Sequence, residues 1–147
     1  MFAQGSIRNA AAMYSRVGVE TDVSEASPHK LILMLFDGAL LVLNKAIADI
    51  ENKDLPEKIK HISKGIEIIS MGLGASLDPS AGGDLAERLG ALYEYMCRRL
   101  TLANLQNNTA PILEVIGLLQ GLREAWAQIS DVADTEMRKA QERTEHA

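Results

Sequence analysis

The sequence is poor in cysteine, proline and aromatic residues, and each shortage excludes a class of protein. The single cysteine among 147 residues, Cys97, rules out an intramolecular disulfide and any site built from several cysteines, such as zinc or iron–sulfur. Aromatic residues make up only 4% of the chain, whereas a β-sandwich would contain more of them and more turn signals. The 47% of hydrophobic residues are therefore mainly aliphatic, and they favour an all-α domain.

Positive charge is also in deficit. There are 15 Lys and Arg residues against 20 Asp and Glu residues, a formal net charge of −5. Because affinity for a phosphate backbone comes from Lys and Arg, we expect no nucleic-acid partner. The N-terminus lacks the unbroken apolar stretch of a secretory signal, and the longest apolar run is interrupted at Asp37 and Gly38, so we expect no stable membrane insertion. These features predict a cytoplasmic protein.

Apolar residues recur every three or four positions in four segments, and each segment begins with a helix-capping signal. The first opens at Ser27 followed by Pro28, and the second opens at Asp54. The third opens at Asp84 after a turn-rich stretch, and the fourth begins near Pro111. Because the connections are only a few residues long, the sequence predicts an antiparallel up-down four-helix bundle.

Two further segments flank the predicted bundle. The N-terminal one carries Ile7, Tyr14 and Val17 on one face of a short amphipathic stretch, which is too short to be a stable helix in water without a docking surface. The C-terminal one has mixed charges and is either a solvated helical extension or disordered. The predicted organisation is a cap segment with its linker at 1–26, the bundle at 27–133 and a charged tail at 134–147.

Motifs for catalysis and for cofactor binding are lacking. None of the three histidines has a glutamate three residues before it, the arrangement that a di-iron bundle requires, so we expect no metal and no cofactor. The stretch from His61 to Gly65 resembles the His-x-x-Lys-Gly core of histidine phosphotransfer domains, which are also four-helix bundles. Short motifs have many false matches, so an exposed polar helix face is the favoured interpretation and phosphotransfer through His61 is the alternative.

Each predicted helix contains an interior glycine, which costs about 1 kcal/mol relative to alanine. These are Gly38, Gly65, Gly90 and Gly117, and Gly121 follows one turn after Gly117. One interpretation is close helix–helix approach inside the bundle; the other, for the last pair, is a shallow surface groove in which another helix can lie. Together with a second apolar side on the first helix, which includes Leu31, Leu35 and Leu41, the glycines predict an outer surface that accepts an apolar partner.

Two blocks of sequence resemble the flagellar secretion chaperone family, the FliS-type flagellin chaperones. The first block reads SPHKLI at residues 27–32 and MLFDGA at residues 34–39, and the second begins with GGDLA at residues 82–86. The resemblance runs in order from about Tyr14 to about Ile129 and includes Trp126.

This resemblance implies a four-helix bundle without enzymatic activity that binds the C-terminal segment of flagellin 1:1. It implies that the chaperone prevents premature polymerisation and delivers flagellin to a component of the flagellar type III export gate. The N-terminal segment would act as a movable cap and as the contact with that gate, through Ile7, Tyr14 and Val17. A bundle that only self-associates, as a weak homodimer, remains a third interpretation. The residues expected in the client grooves are Leu31, Leu35, Leu41, Tyr93, Asn104, Gly117 and Gly121.

Overall fold

Four helices, without any strand, make up the part of the chain that the structure describes. This computed structural model describes residues 26–145, apart from the side chains of residues 79, 81 and 130–145. The helices are α1 (Pro28–Glu51), α2 (Leu55–Glu67, continued by a π-helical turn at Ile68–Gly74), α3 (Pro79–Gln106) and α4 (Ala110–Glu145). The predicted all-α four-helix bundle is confirmed.

The first two helices begin at the residues that the sequence predicts. The Ser27 side chain accepts a hydrogen bond from the Lys30 amide at 3.1 Å, with proline at the first helical position. The Asp54 carboxylate accepts one from the Glu57 amide at 3.4 Å. These bonds satisfy amide groups that have no partner inside the helix, which is why short capping signals predict helix starts well.

A short helical turn precedes the predicted start of the third helix at Asp84. Its first turn starts at Pro79, because the Asp78 carboxylate accepts hydrogen bonds from both the amide and the hydroxyl of Ser80. Gly83 then interrupts the helix with φ 53° and ψ −134°, a left-handed conformation that glycine adopts without steric cost. The turn-rich stretch before Asp84 is therefore a capped helical turn and a break, and not a loop.

Each helix packs against its two neighbours in an antiparallel direction. The side chains of Leu35 and Leu43 on α1 lie against Gly72 and Gly65 of α2, so the residue numbers run in opposite directions. Lys58 near the start of α2 reaches Asn104 near the end of α3, and contacts from α3 to α4 and from α4 to α1 complete the ring. This is the up-down arrangement that short connections produce.

The core lies along the axis of this ring and is almost entirely aliphatic. All four helices contribute fully buried side chains, which bury the apolar area that stabilises the bundle. The largest of them are Leu35, Leu43, Ile62, Ile68, Ile69, Leu73, Met96, Leu100, Ile112, Val115 and Leu119.

Helix α1 is long and apolar enough to cross a membrane by length and composition alone, although Asp37 and Gly38 interrupt its longest apolar run. An average over 18 residues tolerates the two charges of Asp37 and Lys45, which a search for unbroken runs does not. In the structure 56% of that window is buried, and its apolar residues pack into the bundle core. We interpret α1 as the central core helix of the bundle.

The last helix continues past the bundle core. Its backbone is helical to Glu145, roughly 28 Å beyond Trp126. Of the two alternatives for the charged tail, the helical extension is the one found, up to that residue.

Candidate functional site

A stripe of small and apolar residues follows the exposed side of α4. Leu113, Gly117, Gly121, Ala125 and Ile129 are all exposed and recur every fourth position, so they form one oblique row that winds around the helix by about 40° per step. Leu113 and Ile129, at its ends, are 56% and 53% exposed. The stripe, which we call the α4 stripe, is about 24 Å long. It is a shallow furrow with a large apolar side chain at each end.

The two glycines of the α4 stripe face open space. A Cβ atom added at Gly117 or Gly121 would meet no atom within 4 Å, whereas one added at Gly65 would lie 2.8 Å from Cδ2 of Leu43. The sequence left close packing and a surface groove open for these glycines. The structure assigns close packing to Gly65 and an open surface to Gly117 and Gly121.

An apolar cleft of about 390 Å³ lies at the end of the bundle where α1 begins. We call it the end cleft. Ala125 and Ile129 belong to both the end cleft and the α4 stripe, so the two surfaces are continuous. Its lining comes from all four helices and the turn after α2: His29, Ile32, Phe36, Leu73, Leu77, Leu85, Leu89, Tyr93, Leu122, Ala125, Trp126 and Ile129.

A pair of reciprocal hydrogen bonds holds one wall of the end cleft. The His29 ring nitrogen Nε2 lies 2.8 Å from the main-chain oxygen of Trp126, and the indole N–H of Trp126 donates to the main-chain oxygen of His29 at 2.9 Å. The two rings are stacked, with centroids 4.2 Å apart. We call this pair the His29–Trp126 clasp.

Tyr93 is the third residue of the cleft lining, after His29 and Trp126, that carries a polar side-chain atom. It is 5% exposed, and burial raises the pKa of its hydroxyl to about 12. The hydroxyl therefore stays protonated at neutral pH and can donate a hydrogen bond.

The residues predicted from the sequence lie in several places. Tyr93 is in the end cleft, and the two glycines are in the α4 stripe next to it. Leu41 is 40% exposed on α1, one turn after Asp37, whose carboxylate pairs with Arg123 of α4. Leu41 therefore lies near α4.

Three other predicted residues are not part of this surface. Leu31 and Leu35 are buried, and Asn104 is near the opposite end of the bundle. There the main-chain oxygen of Asn104 accepts a hydrogen bond at 2.9 Å from the buried ammonium of Lys58, while its side-chain oxygen is buried without a partner. Ile7, Tyr14 and Val17 lie outside the described residues.

Several residues of the site were missed in the sequence. The α4 stripe continues one turn before the two glycines, to Leu113, and two turns after them, to Ala125 and Ile129. A four-residue repeat of small and apolar residues through 113–129 is the sequence signal that indicates them. His29 belongs to a sequence motif, but its pairing with Trp126 is not visible in the sequence, because it joins positions 97 residues apart.

The geometry around His61 opposes the phosphotransfer alternative. Its Nδ1 atom is 2.5 Å from a carboxylate oxygen of Asp49, and its Nε2 atom is 3.9 Å from one of Glu57. The side chain is 16% exposed. A phosphoryl group on this ring would carry its negative charge beside two carboxylates, which is electrostatically unfavourable. Within residues 26–145, no group of three or more His, Cys, Asp or Glu residues could hold a metal ion.

Comparisons with known proteins show the family of this chain. The family model described as flagellar protein FliS matches residues 10–133. The chain is 50% identical over 120 residues to the flagellar secretion chaperone FliS of Salmonella typhimurium, which covers 82% of this chain and 89% of the relative. It is 43% identical over 121 residues to flagellar secretion chaperone FliSB of Pseudomonas aeruginosa, with 82% and 95% covered. It is 36% identical over 123 residues to FliS of Bacillus subtilis, with 84% and 87% covered. The chain therefore belongs to the FliS family of flagellar secretion chaperones, a family of chaperones and not of enzymes.

Proposed function

We propose that this chaperone binds the C-terminal segment of flagellin 1:1 in the cytoplasm, prevents its premature polymerisation and delivers it to the flagellar type III export apparatus. The observation that carries the proposal is the continuity of the α4 stripe with the end cleft. A chaperone of a secretion system needs a surface for its client, and this is the most extended apolar surface on the described part of α4.

The shape of this surface suits a helical client segment. Small side chains at Gly117, Gly121 and Ala125 allow a second helix to approach closely, and helix axes in such contacts are typically about 8–10 Å apart. The end cleft then accepts larger apolar side chains from the same segment. The stripe is as long as about 16 residues of helix and runs obliquely, so a client segment that follows it crosses α4 at an angle.

The client has to contact a large apolar area if it is to bind stably. A flexible client loses conformational freedom when it binds, at a cost of several kcal/mol that apolar burial has to offset. At roughly 25 cal/mol per Å², a few buried side chains are insufficient, whereas a stripe and a cleft together provide several anchors. Leu41, on the neighbouring helix, extends this surface towards α1.

The N-terminal segment is proposed to act as a movable cap and as the contact with the export gate, through Ile7, Tyr14 and Val17. The described chain begins at Ala26, three residues before His29, which lines the end cleft. The segment therefore enters the bundle at the edge of the proposed client site. A cap in this position could cover the cleft in the free protein and leave it when the client binds.

The test is binding to full-length flagellin and to flagellin that lacks its C-terminal segment. Size-exclusion chromatography with light scattering should show a 1:1 complex with the first and none with the second. Equal binding to both, or to neither, would contradict the proposal. A concentration-dependent dimer without any client complex would support the self-associating bundle instead.

A further inference from the structure

The end cleft contains one polar group that the fold leaves unpaired. Among its lining residues only His29, Trp126 and Tyr93 carry polar side-chain atoms, and the first two bond to each other's main chain. The hydroxyl of Tyr93 makes no hydrogen bond with any of residues 26–145. Two positions further along α3, by contrast, the Tyr95 hydroxyl donates to a carboxylate oxygen of Glu114 at 3.0 Å.

The Tyr93 hydroxyl lies in mostly apolar surroundings but is not sealed off from solvent. The residue is 5% exposed, yet among the described residues the buried side-chain atom without a partner is Oδ1 of Asn104 and not the Tyr93 oxygen. Phenylalanine would provide the same ring for the apolar lining without a polar atom. The partner of the hydroxyl is therefore solvent in the free protein, or a group of whatever occupies the cleft.

The nature of the occupant decides whether this hydroxyl helps or hinders binding. Water can pair with the hydroxyl while the cleft is open. A wholly apolar occupant would displace that water and leave the donor buried and unpaired, which weakens binding. An occupant with an acceptor at this point would form a hydrogen bond in surroundings of low polarity, where it is stronger than in water.

We propose that the Tyr93 hydroxyl donates a hydrogen bond to a carbonyl oxygen of the client segment that fills the end cleft. This rests on the proposed function and identifies a residue that determines which client segments fit. Carbonyl oxygens inside a helix are already bonded, so the acceptor is an Asn or Gln side chain or a main-chain carbonyl in the last turn of the client helix. Client segments with only apolar side chains at this position bind more weakly.

The test is Tyr93→Phe, which removes the hydroxyl and keeps the ring. We expect its affinity for flagellin, measured by isothermal titration calorimetry, to be about 3- to 10-fold lower than that of the wild type. We expect the midpoint of thermal unfolding of the free protein to be unchanged or slightly higher. Unchanged or tighter binding would overturn the inference, and so would a lower unfolding midpoint, which would indicate a partner within the chain.

Tyr95→Phe is the matched control, because it makes the same chemical change on the same helix outside the end cleft. Its flagellin affinity should equal that of the wild type; an equal loss in both variants would overturn the assignment to Tyr93. Failure of the wild type to bind flagellin would overturn the proposed function and this inference together, whereas binding that is indifferent to Tyr93→Phe would overturn this inference alone.

A second set of variants identifies the acceptor. Each Asn and Gln of the flagellin C-terminal segment is replaced by alanine and titrated against the wild type and against Tyr93→Phe. A variant that weakens binding to the wild type but causes no additional loss with Tyr93→Phe supports the inference and identifies a side-chain acceptor. If Tyr93→Phe binds more weakly and no such variant exists, the inference is supported with a main-chain carbonyl as the acceptor.

Discussion

His29 and Trp126, 97 residues apart in sequence, bond reciprocally through side chain and main chain and stack their rings at 4.2 Å. The clasp joins the first turn of α1 to α4, and both residues line the end cleft. The same contacts therefore close the ring of helices and shape the proposed client site.

The first prediction concerns this clasp. His29→Ala should lower the free energy of unfolding by about 1–2 kcal/mol, because it removes the stacked ring and the hydrogen bond that the ring makes to the main-chain oxygen of Trp126. Urea unfolding followed by circular dichroism measures the change. The exposed neighbouring change Lys30→Ala is the control and should have little effect.

A double-mutant cycle measures the interaction energy between His29 and Trp126, apart from the contribution of each side chain alone. His29→Ala and Trp126→Phe should together destabilise the protein by less than the sum of the single changes, since each removes part of the same interaction. Additive effects would show that the two residues stabilise the bundle independently.

The second prediction compares two interior helix glycines that have opposite surroundings, Gly65 and Gly121. Gly65→Ala should destabilise the protein by about 1–3 kcal/mol, because the new methyl group would lie 2.8 Å from Leu43 in a packed core. Gly121→Ala should stabilise it by up to about 1 kcal/mol, because the helix gains propensity and the methyl group meets nothing. Denaturant unfolding measures both, and effects of the same sign would contradict the structure.

These glycines also show which structural features can be predicted from the sequence and which cannot. Capping signals are local, so the starts of α1 and α2 at Ser27 and Asp54 were predictable. Whether a glycine faces a neighbouring helix or solvent depends on how each helix is rotated in the bundle, which composition and spacing do not determine. The spacing of Gly117 and Gly121 therefore allowed a surface groove beside close packing, and only their surroundings decide between the two.

The predicted site shows the same limit. The apolar second side of α1 was expected to face outward, but Leu35 packs against Gly72 of α2, so it belongs to the core. The helical turn that precedes α3's main part was not predicted: capping at Asp78 begins a short turn, and after the break at Gly83 the helix resumes where Asp84 was predicted to open it. Tyr93 and the two glycines of α4 could be named from the sequence, whereas their continuity with a cleft could not.

The third prediction concerns pH. Hydrogen bonds from Arg99 at 2.7 Å and from Tyr95 lower the pKa of Glu114 in the folded state below its ordinary value of 4.5. A carboxylate with a lowered pKa stabilises the fold above its unfolded-state pKa, and that stabilisation is lost as the pH falls through the folded-state value. Glu114→Gln should therefore be less stable than the wild type at neutral pH. The difference in the free energy of unfolding should shrink as the pH falls below the ordinary carboxyl pKa of 4.5.

Urea unfolding at a series of pH values, from neutral to about pH 3, tests this prediction. In an Arg99→Gln background, Glu114→Gln should change the pH dependence of stability less, because one of the two hydrogen-bond donors to the Glu114 carboxylate is already missing. High salt should also reduce it, since the ion pair is exposed and is screened. A constant difference between wild type and Glu114→Gln at all pH values would contradict the assignment.

The fourth prediction concerns the N-terminal segment. Replacing Tyr14 and Val17 together by alanine should change the affinity for flagellin or for the export-gate component and leave helix content and thermal stability nearly unchanged. Calorimetric titration with each partner and a thermal melt measure these effects. A large loss of stability would place the segment in the core and contradict its role as a cap.

The fifth prediction tests the α4 stripe as a furrow for a helix. Gly117→Leu and Gly121→Leu should each lower flagellin affinity by at least about 10-fold, because a leucine side chain in the furrow separates the two helices and removes the apolar contacts along its length. Neither change should lower the stability of the free protein, since leucine favours helix more than glycine and both positions are open. The control is Gln120→Leu, an equally exposed change one residue outside the stripe. If all three variants bind flagellin like the wild type, the client lies elsewhere on the bundle; if the control loses as much affinity as the two glycine variants, added apolar surface and not a filled furrow is the cause.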